Sequence, residues 1–423
     1  MAKRRKIDIH EYDRQLVRAL ARMRTAPEIS KRNKRMILKF CDRLTADNLS
    51  KPRIIYYLGR LTMIVRWLKK DFDQATKSDI ERVMRKIAGM DYTEWTRKDY
   101  RVTLKKFFKW LKGTEESGIY PEEVRWISTH VSADRQDLPN RLPDEDDAKK
   151  MIEAADHPRD KALIAALYES GCRVGEVASL RINDVQFDEY GAHMIVKGKT
   201  GSRRVRIVFS APILASWLNV HPERNDPDAP LWVLIGTTKN RGKNQGRAGG
   251  SQSPQSDGLK YRAIASMLVR VAGRAGVKKK VNPHAWRHAR ATFLANKLTE
   301  QQLKHVFGWG QASRMAATYV HLSGRDVDDA LLAVYGKRKK VEETGGSALD
   351  PLECPRCKEG NEYNNVFCKR CGWALDKQAA DQLHDRKLEA EKLLNRLVED
   401  PGTLKSLAGA IERLGLVEEV KKI

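Results

Sequence analysis

With 423 residues, 41% of them hydrophobic, the chain is long enough for about two or three domains with ordinary cores, and its composition excludes wholesale disorder. The formal net charge of +25 is unevenly spread: residues 1–112 hold 31 Lys and Arg against 13 Asp and Glu, a net of +18, while residues 337–423 hold 17 against 16. That basic block suits a polyanion partner, whereas a membrane span is excluded because no run approaches eighteen consecutive apolar residues.

Residues 8–112 read as successive amphipathic helices. The clearest stripe is Ile54, Leu58, Leu61, Val65 and Leu68, with breaks at Ser50-Lys51-Pro52 and at Gly89. On the last of these helices Lys98, Arg101, Lys105, Lys106, Lys109 and Lys112 lie off the apolar stripe of Tyr100, Leu104, Phe107 and Leu111. Such a face suits DNA phosphates, which supply affinity without reading sequence; a solvated helical surface is the alternative. The less periodic, Gly- and Pro-bearing stretch 113–142 reads as a linker, with Leu142-Pro143-Asp144-Glu145 opening a new helix.

From residue 143 the pattern is mixed. A helix over Ala162–Tyr168 ends at Ser170-Gly171-Cys172-Arg173, and Val174-Gly175-Glu176 starts another. Met194–Val196 and Val205–Phe209 are strand-like around Gly198-Lys199-Thr200-Gly201, which predicts a hairpin. This Gly-Lys-Thr is no nucleotide loop, because the glycine required five places earlier is His193. Residues 236–258, rich in Gly, Ser, Lys and Asn, read as a flexible surface loop, and helical spacing resumes over Tyr261–Val271 and Trp286–Leu298. Around the start of the second of these, His284, Arg287 and His288 fall within five residues, followed further on by Gly308-Trp309 and then Tyr319. An arginine to bind an anion, a histidine to move a proton and a hydroxyl nucleophile are the parts of phosphoryl transfer through a covalent intermediate.

Beyond a second linker, Lys337-Arg338-Lys339-Lys340 to Gly346, two CxxC pairs supply Cys354, Cys357, Cys368 and Cys371. Two such pairs place four thiolates around one Zn2+, structural because the segment is too small to build a core. Cys41 and Cys172 read as small buried apolar residues, and four paired cysteines in a long chain indicate a reducing compartment, the cytoplasm by default. The tail from Ala374 is helical, with a narrow stripe of Leu404, Leu407, Ile411 and Leu414.

In this order, Gly-Cys-Arg-Val-Gly-Glu at 171–176, the Gly-Lys-Thr-Gly hairpin at 198–201 and His-x-x-Arg-His with Gly-Trp and Tyr at 284–319 resemble the tyrosine recombinase (phage integrase) family, most closely its archaeal members. The likeness spans roughly 8–336. It implies a mostly α fold with a small antiparallel β-sheet: a helical DNA core-binding domain over 1–112, a linker over 113–142 and a mixed α+β catalytic domain over 143–336. The zinc-binding segment over 350–376 and the C-terminal helical tail over 377–423 lie outside the family core.

By that resemblance Tyr319 attacks the scissile phosphate to give a 3′-phosphotyrosyl enzyme. Arg173 and Arg287 clamp the non-bridging oxygens, His284 bonds the phosphate and handles the tyrosine proton, and Lys199 protonates the leaving 5′-oxygen. Trp309 occupies the position the family fills with His or Trp, and Glu176 and His288 support. Lys197 is the rival for Lys199, and Tyr335 for Tyr319. No nucleotide and no catalytic metal are implied. The expected partner is double-stranded DNA at specific sites, with about four protomers assembled on it in a nucleoid-associated cytoplasmic protein. A type IB-like nicking-closing topoisomerase and a non-catalytic zinc-containing DNA-binding protein are the alternatives.

Overall fold

The computed structural model describes residues 7–131, 142–198, 201–235, 258–322, 335, 347–399, 402–403 and 409. Two compact units divide near residue 138.

Among the described residues, the N-terminal unit opens with α1 (Tyr12–Thr25), α2 (Lys31–Ala46), α3 (Lys51–Leu68), α4 (Lys77–Ala88) and α5 (Glu94–Leu111). Their starts are chemically marked: Ser30 accepts from the Asn33 amide, Thr76 and Asp79 form a reciprocal capping box, and Thr93 accepts from the Thr96 amide. The predicted stripe of α3 is buried along its length, and Phe40, Tyr57, Phe72, Phe107 and Phe108 fill the centre. The core continues past residue 112. A short helix α6 (Glu122–Arg125) buries Val124, and Ile127 is buried after it, both packed into the same core. Of the stretch 113–142, the described part, 113–131, folds back on the N-terminal unit because Val124 and Ile127 supply apolar side chains three residues apart.

The second unit begins with α7 (Glu145–Ala154), capped by Asp144 and Asp147, which both pair with Lys279. Helix α8 (Pro158–Ser170) is buried on nearly every side, and α9 (Val174–Ala178) follows after a sharp turn. A three-stranded antiparallel sheet of β1 (Val185–Asp188), β2 (Gly191–Gly198) and β3 (Gly201–Ile207) comes next, in that order, with Val196 opposite Arg203 and Gly198 opposite Gly201. Strand β1 was not legible in sequence, since only Val185 of its four residues is buried and no alternation marks it. The strand predicted over Val205–Phe209 starts earlier, at Gly201, and ends earlier, at Ile207. The amides of Val208, Phe209 and Ser210 all donate to the buried Glu169 carboxylate, which caps helix α10 (Ser210–Asn219) from α8.

Helix α11 (Tyr261–Arg274) precedes α12 (Pro283–Ala295). The latter starts earlier than its apolar spacing suggests, because the Asn282 side chain accepts from the amides of His284 and Ala285 and Pro283 is preset for the first turn. Helices α13 (Glu300–Phe307) and α14 (Met315–Leu322) pack on α12 around Ala291, Ala295, Leu303, Phe307, Ala316 and Tyr319. After them come the short hairpin of β4 (Leu352–Glu353) with β5 (Gly360–Asn361) and the long helix α15 (Lys377–Glu399). Most of the 236–258 loop, the second linker and all four residues of the Leu404–Leu414 stripe lie outside the described residues. Among the described residues no helix is long and apolar enough to cross a membrane.

Candidate active site

Two helix ends meet at Arg287. Gly171 closes α8 and Gly308 closes α13, both left-handed, with φ 56° and 58°, a conformation that costs glycine little. The Arg287 guanidinium, buried on α12, donates from Nη1 to the Gly171 carbonyl (3.0 Å) and from Nη2 to the Phe307 carbonyl (2.7 Å). Two carbonyl-rich, partially negative helix ends thus hold one cation. Burial first, then the neighbouring Arg173 charge, lowers its pKa to about 10, which leaves it charged at neutral pH.

Arg173 is the residue preceding α9, half-exposed, and its Nη1 donates to Glu176 Oε1 at 3.0 Å while its amide donates to Oε2 at 3.0 Å. Burial disfavours the Glu176 carboxylate, but bonds from Arg203, the Arg203 charge and the Arg173 contacts outweigh it and hold the carboxyl below its usual range. Arg203 was missed in the sequence. Its signal was available: in β3 it shares the inward parity of Val205 and Ile207, where a charge needs a buried partner.

Tyr319 is buried on α14 and hydrogen-bonded through its hydroxyl to His288 Nδ1. Its ring stacks on Trp309 (centroids 5.5 Å apart, planes 5° apart), Trp309 stacks on Phe307 in turn, and the Arg287 guanidinium lies 5.5 Å from the Trp309 ring centre. Burial pushes the Tyr319 phenol up to about 12, and the Arg287 charge pulls the other way. Such a phenol needs a proton acceptor to become a nucleophile. His288 is lowered by burial, then by His284 and Arg287, and is therefore neutral at pH 7 and able to accept. This shifts an expectation: the histidine touching the tyrosine is His288, whereas His284, one turn earlier and exposed, has its ring centre 4.9 Å from that of His288 with the planes 67° apart. His284 too is lowered by burial, then by Arg287 and Arg173. Trp309 is a stacking plate for the tyrosine. The rival Tyr335 is 77% exposed. Lys199 lies outside the described residues; its neighbour Gly198 ends β2 and Lys197 is exposed.

The basic face of α5 is less open than its spacing suggests. Lys105 donates to the Ile127 carbonyl (2.9 Å) and lies over Tyr120, Lys109 approaches the same ring, Arg101 pairs with Glu94 (3.6 Å), Lys98 covers Trp95 and Lys106 lies near Tyr57. The folded-back 113–131 segment supplies the Lys105 and Lys109 contacts, and a groove of about 470 Å³ remains among Lys105, Lys106, Lys109, Glu115 and Tyr120.

The four cysteine sulfurs all lie within 4.8 Å of one another, with Cys354–Cys371 and Cys357–Cys368 each at 3.6 Å. Four thiolates about 2.3 Å from a tetrahedral zinc sit roughly 3.8 Å apart, so the cluster is spaced to hold a metal ion. The buried Asn361 ties the two cysteine turns together, donating to the Leu352 and Glu359 carbonyls and accepting from the Lys369 amide. The segment docks on its own unit: Glu362 accepts from Ser216 of α10, Tyr363 donates to Glu153 of α7, and the Glu145 carboxylate accepts from Ser347 and the Ala348 amide.

Residues 141–325 match the phage integrase family, and residues 37–115 match the N-terminal SAM-like domain of phage integrases. The chain belongs to the phage integrase family. It is a tyrosine recombinase, a DNA strand-transferring enzyme. The tyrosine recombinase XerD of Ralstonia nicotianae is 28% identical over 269 residues, covering 62% of this chain and 80% of that one. XerA of Pyrococcus furiosus is 26% identical over 258 residues, 60% of this chain and 78% of that one. Among solved structures, XerH recombinase bound to a palindromic difH substrate in a post-cleavage complex matches with a TM-score of 0.50 at 17% identity, over 79% of this chain and 100% of that one. A lambda integrase(75-356) dimer bound to a COC′ core site matches at 0.50 and 16%, over 69% and 96%. These two likenesses establish the fold of the recombinase.

Proposed function

We propose that this recombinase cuts and rejoins double-stranded DNA at specific sites through Tyr319. The observation that carries the reading is the buried Tyr319 hydroxyl bonded to a neutral histidine, with the Arg287 guanidinium 5.5 Å from the centre of the Trp309 ring on which the tyrosine stacks. In the proposed step the Tyr319 oxygen bonds to phosphorus as the bond to the 5′-oxygen breaks, His288 takes the phenol proton and Lys199 gives one to the leaving oxygen. Arg173 and Arg287 neutralise the charge that builds on the non-bridging oxygens, where planar forks outperform lysines, and the exposed His284 adds a hydrogen bond. Attack by a 5′-hydroxyl from a second strand reverses the step, and since phosphodiester bonds are conserved no nucleotide is consumed.

The basic N-terminal unit is proposed to supply phosphate contacts, including the α5 groove. About four protomers act together on paired sites, because exchanging both strands of two duplexes takes a nucleophile per cut strand. Zinc at the four cysteines is structural, and the protein is cytoplasmic. The function is tested by supplying two differently labelled duplexes carrying a site selected by the protein from a random-sequence pool. Strands joined between the duplexes are expected; relaxation of supercoiled plasmid without any joining would favour the topoisomerase alternative.

The metal assignment has its own expected outcome. Cys354→Ser lowers bound zinc below one per chain and lowers the melting temperature by several degrees, about 2–4 °C for each kcal/mol lost in a unit this size. Elemental analysis giving unchanged zinc sinks it.

A further inference from the structure

Arg203 and Glu176 form a buried pair, with side chains 8% and 3% exposed. Arg203 binds the carboxylate as a fork, Nη1 to Oε1 at 3.1 Å and Nη2 to Oε2 at 2.8 Å, while Arg173 contributes its amide and one guanidinium nitrogen. Both carboxylate oxygens are then doubly engaged. The remaining donors of Arg203 reach other parts of the site: Nε donates to the Val306 carbonyl at 3.0 Å, and Nη2 also lies 3.4 Å from Cys172 Sγ. One side chain from β3 therefore contacts the turn before Arg173 and the end of α13 that leads to Trp309.

Two motif glycines are shaped around this pair. A side-chain carbon at Gly198 would fall 2.4 Å from Glu176 Oε1, and one at Gly308 would fall 2.8 Å from Arg203 Nη1. The turn end of the hairpin and the Gly-Trp turn thus close onto the same ion pair.

We propose that Arg203 is a positioning residue for strand cleavage: by holding Glu176 as a fork it limits Arg173 to one guanidinium bond with that carboxylate, leaving the rest of the Arg173 fork for the phosphate, and through Val306 it fixes the turn that sets Trp309 against Tyr319. Without Arg203 the uncancelled carboxylate takes up the Arg173 fork and draws it off the phosphate. The proposal rests on the cleavage reading above.

The test uses the full chain and a nicked duplex bearing a site selected by the protein from a random-sequence pool, with DNA affinity and the rate of covalent adduct formation at saturating DNA measured separately. Arg203→Met should bind within about threefold of wild type yet cleave about 10²-fold more slowly at temperatures well below its melting point. Arg203→Lys, which keeps the charge without the fork, should recover part of the rate. Arg203→Met with Glu176→Gln should cleave about tenfold faster than Arg203→Met alone, because the charge that captures Arg173 is gone. A rate for Arg203→Met within about threefold of wild type, or a double variant no faster than the single, overturns the proposal. If Arg203→Met does not fold, Arg203→Lys decides, and a loss below about threefold overturns it. Absence of any adduct with wild type would instead count against the cleavage reading itself.

Discussion

Tyr319→Phe yields no covalent protein–DNA adduct on a nicked duplex, yet still binds that duplex. Removing the nucleophile of a covalent enzyme typically costs about 10⁶ in turnover, and no second hydroxyl replaces this one among the described residues of the stack. The fold should survive. A phenyl ring keeps the stacking on Trp309 and the packing against Ala291, Ala295 and Phe307, and what goes is one hydrogen bond to His288. Such a bond is worth about 0.5–1.5 kcal/mol net, so melting shifts by a few degrees. Gel detection of adducts together with a binding isotherm checks both halves; an adduct as abundant as wild type's removes Tyr319 from the mechanism.

Arg287→Lys should lower the cleavage rate about 10²–10³-fold with site affinity changed far less. The native guanidinium does two jobs with one plane. It bridges the Gly171 and Phe307 carbonyls through separate nitrogens and lies against Phe307 and Trp309. An ammonium offers three donors around a single point, and so cannot span both helix ends and face a phosphate at once. One buried carbonyl left without a partner costs about 1–3 kcal/mol, so the variant should also melt lower. Single-turnover cleavage at saturating DNA measures the effect directly, and a loss under about tenfold would mean that Arg287 is a structural clamp alone.

The order of the segments was legible because chemistry that needs particular groups leaves them in plain view: residue type and spacing drew attention to His284, Arg287 and Tyr319, and the family resemblance added Arg173 and Glu176. The helices of the N-terminal unit were legible for a different reason, since a stripe such as Ile54 to Leu68 repeats at the helical period. Long-range pairing was not. Nothing in local sequence says that Glu169 of α8 caps α10, that Arg203 of β3 bonds the end of α13, or that the Tyr319 hydroxyl chooses His288 over His284. Each depends on how elements far apart in sequence come to rest. The packing of 113–131 was not legible for a related reason: its glycines and prolines give no helical period, and Val124 and Ile127, too few to make a periodic pattern, are enough to seat it in the core.

The central claim is that one tyrosine carries the DNA strand, and mapping the attachment tests it most directly. The adduct trapped on a nicked duplex is digested with nuclease and then trypsin, and the residue bearing the remaining phosphonucleotide is located by mass spectrometry. Arg314 and Arg325 bound a peptide whose one tyrosine is Tyr319, while the rival Tyr335 falls in the next, so the two are separable. The phosphate is predicted on Tyr319; finding it on Tyr335, or on any other residue, would contradict the account.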